Sequence, residues 1–297
     1  MSSFTTIANT VAAYECWLAR QPLSAHTRRT YLAQVRRYGN YLSTLPWEYG
    51  HPLQEPYARD YAVRDYKTAL KTVHHAKPSS VNLALAAVGH FYRFLELPPP
   101  RVTREDLPAQ APRALEPAEQ KRFLRAVERC SSARDRALAL LLFYTGLRLS
   151  ECAALQLSDV PLSSRKGLVI VRMGKGNTYR EVPLNAEVRA ALDSWLEQRK
   201  QLVALRNESA LFLTKRGTRL AARTIDEVLR RLGQEANLDL SAHILRHSCL
   251  TNLVRNGNDL VLVAELAGHR RLETTRRYSL PTAADREAAM EGLKVDY

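Results

Sequence analysis

The stretch LPPPRVTREDLPAQAPRAL, residues 97–115, carries five prolines and sets the strongest limit on what this chain can build. Each proline fixes its own φ and lacks a backbone N–H, so no helix interior or central strand runs through such a segment. An extended linker is expected there. It divides the 297 residues into an N-terminal domain, 1–97, a linker, 98–113, and a C-terminal domain with a tail, 114–297. No internal repeat or low-complexity segment cuts across that division.

The N-terminal part reads as all-helical. Between Thr27 and Leu45, the residues Tyr31, Val35, Tyr38 and Leu42 recur at helical spacing and define one buried stripe. Arg29 and Arg36 project from the opposite face, with Arg37 beside them. A second helix follows the capping candidates Ser79 and Ser80 and buries Ala84, Val88, Phe91 and Leu95. Its other side carries Asn82, Ala86, Gly89 and Arg93, where small residues between polar ones permit close approach to another surface, such as a DNA groove. Either face also reads as ordinary solvated helix surface.

The C-terminal part mixes element types. Helices are expected over 117–130, 134–144 and 149–157, then from the Asn185 cap with Val188, Leu192, Trp195 and Leu196 inward, and over 222–232, 242–256 and 259–267. Between them LVIVRM (168–173) and TYREVPL (178–184) flank Gly174-Lys175-Gly176-Asn177, a hairpin signal. The fold class expected is therefore mostly α with a small antiparallel β-sheet.

Charge narrows the partner. Against 30 acidic side chains stand 44 basic ones, a formal +14, and only nine of the basic residues are Lys. Such a surplus points to a polyanion, nucleic acid or an anionic membrane surface. Arg suits phosphate because its planar fork gives two parallel hydrogen bonds to one group. The membrane alternative weakens on two counts. The longest apolar run, Ala137 to Tyr144, is too short to span a bilayer, and the start MSSFTTIANT lacks the charged-then-apolar pattern of a signal peptide. Cys16, Cys130, Cys152 and Cys249 are scattered without a C-x-x-C pair, which suits a reducing cytoplasm better than a disulfide framework or zinc ribbon.

Five features in the C-terminal part carry chemistry. They are Thr145-Gly146-Leu147-Arg148-Leu149-Ser150-Glu151, Lys175 at the hairpin tip, His243-Ile244-Leu245-Arg246-His247, Gly268-His269, and Tyr278 after Thr274-Thr275-Arg276-Arg277. His243, Arg246 and His247 share one helical face. Singly, each has a plainer reading: a surface Arg, a solvated hairpin Lys, a packing Tyr among thirteen. His243 and His247 at i, i+4 match metal-ligand spacing, but the metalloprotease Glu is missing and Arg246 lies between them. The order and spacing of all five set them apart from such isolated occurrences.

This order resembles the tyrosine recombinase (phage integrase) family, with an Xer-like compactness. The similarity covers essentially all of the C-terminal part. The helical N-terminal part, with L-S-x-x-T-x-x-x-Y from Leu23 to Tyr31, resembles the family's core-binding domain. One departure is Ala267, where members often have Leu before the Gly-His; it alters packing and leaves the chemistry intact. The resemblance implies a helical core-binding domain joined to an α+β catalytic domain. It also implies site-specific cleavage and rejoining of double-stranded DNA through a 3′-phosphotyrosyl intermediate and a Holliday junction, without metal, ATP or other cofactor.

The implied roles fit the residue types. Attack on a phosphodiester builds negative charge on the non-bridging oxygens, and each preorganised donor facing it contributes roughly 3–4 kcal/mol. Arg148 and Arg246 would supply this, with His269 as a further donor. Tyr278 is the implied nucleophile: a phenol, with a pKa of about 10, leaves more readily than a sugar alkoxide when the bond is reversed. Lys175 would protonate the departing 5′ oxygen, His243 would serve the phenol as general acid or base, and Glu151 would hold the architecture.

DNA contacts are expected from Arg29, Arg36, Asn82 and Arg93, with the two domains gripping a duplex. Thr282 to Asp285 resembles a capping arrangement, and Ala289, Met290 and Leu293 share an apolar side. In Xer-type relatives such a tail docks on a neighbouring protomer, which implies a homotetramer or heterotetramer on two paired sites; folding back on its own domain is the alternative. The short stretch ahead of Thr27 leaves no room for a separate arm-binding domain. Two other functions share parts of this pattern. A type IB topoisomerase-like relaxing enzyme has the same chemistry but needs no partner site, and a non-catalytic DNA-binding regulator needs no nucleophile.

Overall fold

Three helices of this chain open on a proline. Pro56, Pro78 and Pro117 each occupy the first turn, where a missing N–H costs nothing and a fixed φ suits the helix. The computed structural model describes residues 2–44, 46, 50–107, 113–163, 165–172, 179–203, 208–269, 271–276, 278–279 and 290–291. Backbone packing separates the chain into units 1–108 and 109–297, and each is described by itself. Among the described residues no helix is long and apolar enough to cross a membrane.

The first unit holds α1 (Ser2–Ala19), α2 (Ala25–Ser43), α3 (Pro56–Thr72) and α4 (Pro78–Phe94). Ser24 caps α2, its hydroxyl accepting from the Thr27 N–H at 3.0 Å. Val35, Tyr38 and Leu42 are buried as the helical spacing requires, and Gly39 joins them because a Cβ there would stand 3.1 Å from Val11 of α1. In α4, Ala84, Val88 and Phe91 are buried as expected, but the helix starts at Pro78, ahead of the serines expected to cap it. Four fully buried tyrosines, Tyr14, Tyr38, Tyr66 and Tyr92, fill the core between the helices. The hydroxyls of Tyr38 and Tyr92 pair at 2.8 Å, and that of Tyr14 meets His90 Nδ1 at 2.9 Å. This pairing satisfies three of the four hydroxyls, while that of Tyr66 is buried with no hydrogen-bond partner among the described residues.

Residues 97–107 of the proline segment form neither helix nor strand and are stitched to this unit. Arg59 donates to the Pro98 carbonyl, Lys67 Nζ to the Thr103 carbonyl at 2.8 Å, and both Lys67 and Lys71 pair with the Glu105 carboxylate. Asn82 closes a two-way bond, its amide nitrogen donating to Glu105 O and its oxygen accepting from Glu105 N, each at 2.8 Å.

The second unit runs α5 (Pro117–Arg129), α6 (Ala133–Thr145), α7 (Leu149–Ala154), a 3-10 turn (Leu157–Asp159), β1 (Leu168–Val171), β2 (Arg180–Pro183), α8 (Ala186–Val203), α9 (Ala222–Glu235), α10 (Ala242–Arg255), α11 (Leu260–Ala267) and α12 (Leu272–Arg276). The fold is mostly helical with a two-stranded antiparallel sheet, Leu168 facing Pro183 and Val171 facing Arg180. Apolar α6 runs through the centre, packed by α5, α8, α9 and α10. Phe123, Leu138, Leu142, Trp195, Leu229 and Leu245 belong to the core around it. Both strands are shorter than the runs that announced them, and the hairpin tip, 173–178, lies outside the described residues.

Candidate active site

Two glycines shape the site. Gly146 and Gly268 end α6 and α11 in the left-handed conformation, at φ 59° and 64°, which a Cβ strongly disfavours. Arg148 follows the first turn and His269 the second. Each helix end also leaves carbonyls unpartnered, with the negative end of the helix dipole behind them. Arginines fill these positions. Arg246, on α10, donates to Gly146 O and to Ala267 O, both at 2.6 Å. Arg148 donates to Gly268 O at 3.3 Å.

A buried carboxylate ties the cluster together. Glu151 accepts from the Arg148 backbone N–H at 2.9 Å and from its guanidinium at 2.7 Å. Arg180 of β2 reaches the same carboxylate at 2.7 and 3.1 Å, and its Nε donates to Leu266 O at 2.9 Å. Burial alone would raise the Glu151 pKa, but the bonds from Arg180 and Arg148 outweigh it and hold the carboxyl at about 2. Glu151 is therefore a fixed anion at neutral pH and no proton carrier. Three guanidinium groups, those of Arg148, Arg180 and Arg246, then face one carboxylate, leaving an excess positive charge suited to a phosphate. Burial, and then Arg148, lowers Arg246 to about 10, which leaves it charged at physiological pH.

His269 is locked on both sides. Its Nε2 lies 3.1 Å from an Arg246 nitrogen, which can only donate. The ring proton therefore sits on Nδ1 and is given to Thr275 Oγ1 at 2.8 Å. Burial, reinforced by Arg246, Arg148 and Arg180, pushes its pKa down to about 4, so the ring is neutral. In this arrangement Nε2 is an acceptor, whereas the sequence suggested a donor.

Tyr278 sits in the turn after α12, only 7% exposed, its ring packed with Leu250, Val263 and Ala267. Its hydroxyl lies 2.7 Å from His247 Nδ1. His247, the neighbour of Arg246 on α10, therefore also reaches the phenol for which the sequence suggested His243. His243 stands T-shaped against His247, ring centroids 4.0 Å apart. The structure thus brings together Arg148, Glu151, Arg246, His269 and Tyr278, with His243 set against His247 beside them. Lys175 lies outside the described residues.

The expected DNA-contact residues divide. Arg29 and Arg93 are exposed. Arg36 is exposed too but pairs with Glu15 at 2.7 Å. Asn82 is half-buried, and both ends of its amide are engaged by Glu105, which fastens the proline segment. Arg180 and His247 are the residues to which sequence reasoning gave no role. Arg180 had a signal, for it shares strand parity with Val182 and Leu184 and so had to be a buried cation in need of a partner.

Known proteins match this chain in sequence and in fold. Residues 113–284 match the phage integrase family, and residues 11–97 match the N-terminal SAM-like domain of phage integrases. The chain belongs to the phage integrase family. It is similar to the tyrosine recombinase XerA of Thermococcus kodakarensis, 32% identical over 96% of this chain and 95% of that one. The tyrosine recombinase XerC of Myxococcus xanthus is 34% identical over 87% of this chain and 88% of its own. A crystal structure of the XerH site-specific recombinase bound to its difH substrate matches with a TM-score of 0.70 at 23% identity, covering 89% of this chain and 79% of that one, and shares the fold. As a phage integrase family member with Xer-like relatives, the protein is a tyrosine site-specific recombinase that cleaves and rejoins DNA.

Proposed function

We propose that Tyr278 attacks a DNA phosphodiester held by Arg148 and Arg246, forming a 3′-phosphotyrosyl link and releasing a 5′ hydroxyl. The observation that carries this reading is the convergence of both guanidinium groups, His269 and the phenol around one pocket of excess positive charge. Arg148 and Arg246 stabilise the charge that grows on the non-bridging oxygens, from positions fixed before the reaction begins. Glu151 and Arg180 keep them there. Lys175 gives the proton to the departing 5′ oxygen. Entry of the phosphate brings an anion beside His269, which offsets the arginine charges that keep the ring neutral and draws it toward donation. Because the phosphotyrosyl bond conserves the phosphodiester's energy, rejoining needs neither ATP nor a metal.

The domains are read as a core-binding part, 1–97, a linker, 98–113, and a catalytic part, 114–297. Arg29, Arg36 and Arg93 are assigned to DNA contact in the first part. The enzyme acts on paired specific sites as a tetramer, the tail exchanged between protomers, and passes through a Holliday junction. Its place is the nucleoid, in the cytoplasm. A nicked suicide duplex, bearing the site this protein selects from a random-sequence pool, tests the reading. Cleavage beside the nick loses the short fragment and traps protein on DNA. Arg246→Ala should lower trapping by about 10²-fold or more; undiminished trapping by that variant would exclude the phosphate-binding role.

A further inference from the structure

We propose that Thr275 is a positioning residue for the reaction: its hydroxyl holds the His269 ring in the one orientation that turns Nε2 toward the phosphate, and its carbonyl holds the turn that carries Tyr278. The inference deepens the reading of His269 as part of the phosphate pocket and rests on it. Thr275 lies on α12, six residues after His269 and three before Tyr278. Its Oγ1 stands 2.8 Å from His269 Nδ1, and its carbonyl accepts from the Tyr278 N–H at 2.9 Å. Burial singles it out. Leu272, Glu273, Thr274 and Arg276 of α12 are exposed, Leu272 at 46%, whereas Thr275 has no exposed surface. A short helix that leaves its leucine in water and buries a threonine is seated by the hydroxyl, because burying that group unbonded is costly.

The hydroxyl decides which ring nitrogen faces the pocket. Arg246 can only donate to Nε2, at 3.1 Å, so Nδ1 carries the proton and the threonine oxygen receives it. Arg246 is also the group assigned to the phosphate. As an anion enters, that guanidinium turns part of its donation to it, and the contact that continues to hold the ring is the one on Nδ1. A hydroxyl suits this place. It accepts from Nδ1–H whether the ring is neutral or charged, so Nε2 can pass from acceptor to donor without the ring moving. A carboxylate there would instead keep the ring protonated. The backbone fixes both ends of the link. The His269 N–H donates to Ala264 O at 2.9 Å at the end of α11, and the Thr275 carbonyl holds the Tyr278 turn. One residue thus joins the ring that meets the phosphate to the segment that delivers the phenol, the registration an in-line attack requires.

The test is a double-mutant cycle read by single-turnover cleavage of the nicked suicide duplex, using the full chain. Thr275→Val keeps the shape of the side chain and removes the hydroxyl. It should cleave about 10–100-fold more slowly, the range that loss of an imidazole's outer partner costs in metal sites, with duplex affinity within about twofold of wild type. Thr275→Ser, which keeps the hydroxyl, should restore most of the rate. On a His269→Ala background Thr275→Val should cost less than about twofold more, because the ring it acts through is gone. An undiminished cost on that background means that Thr275 serves α12 and not the imidazole, and overturns the proposal. So does a Thr275→Val rate within about twofold of wild type. Nitrogen-15 chemical shifts of the wild-type His269 ring need no variant: Nδ1 should carry the proton at neutral pH and Nε2 none, and the opposite tautomer overturns the assignment. His269→Ala separates the two readings. If it cleaves at the wild-type rate, His269 is not part of the phosphate pocket and both fall. If it is slow while Thr275→Val is normal, only the role of Thr275 is wrong.

Discussion

At the scale of single residues the site is held by a buried ionic contact, that of Glu151 with Arg180. Glu151 and Arg180 are both buried, so removing one partner strands the other. Arg180→Met should destabilise the protein by about 3 kcal/mol, the usual cost of breaking a buried pair. Denaturant unfolding of Arg180→Met, Glu151→Gln and the double variant measures this, and the double should lose less than the two singles together. His269 supplies the pH prediction. Its pKa falls from 6.5 unfolded to about 4 folded because burial and three arginines oppose its charge, so the unfolded chain binds the extra proton first. Its contribution to stability is complete above pH 6.5 and drains away as pH falls toward 4, and the ring's NMR titration should centre near the lower value. Arg180 shows where the sequence stopped being legible. Arg148, Arg246, His269 and Tyr278 were found because they sit in short motifs. Arg180 and Glu151 lie 29 positions apart and meet only through the fold. His247 stood inside a motif, but its contact with Tyr278, 31 residues away, is made only by the fold.

At the scale of elements, α6 and α11 place the cluster by ending on left-handed glycines. A Cβ on Gly268 would lie 3.0 Å from Arg180 Nη1 as well as demand a strained backbone. Gly268→Ala should therefore cost ~1–2 kcal/mol in stability from conformation alone. It should slow cleavage by about 10²-fold through displacement of His269 and Arg180. Thermal unfolding and suicide-duplex rates check the two effects separately. Most helices with a clear apolar period were legible, α2, α4, α6, α8 and α10 among them. Those not singled out have physical reasons to be quiet. α1 opens with three Thr, two Ser and one Asn among its first nine residues, all poorer helix formers than Ala. α3 begins on Pro56, which reads as punctuation unless recognised as a first-turn proline. α12 spans five residues, too few to show a period. The prolines exclude a helix through their segment, but its attachment to α3 and α4 depends on Lys67, Lys71 and Asn82, which carry no local sign of it.

At the scale of the whole molecule, a formal charge of +14 must find an anion, and the family places DNA there. Phosphate contacts release counterions, so affinity for the selected duplex should fall by about 10³-fold or more between 50 and 200 mM salt if six or more phosphates are engaged. A titration series by anisotropy checks it, and a flat series contradicts a phosphate-led interface. Of the tail, residues 290 and 291 are described, helical, with Met290 71% exposed; the apolar side expected for Ala289 and Leu293 lies outside the described residues. Deleting residues 283–297 should abolish assembly on paired sites while sparing binding to one site, and an undiminished tetramer would exclude tail exchange. Beneath all of this stands the covalent bond. The most direct measurement digests the protein trapped on a nicked suicide duplex and maps the nucleotide-bearing peptide by mass spectrometry. The adduct should fall on Tyr278 alone of the thirteen tyrosines. A nucleotide on any other residue, or an unmodified Tyr278 in trapped protein, would contradict the mechanism.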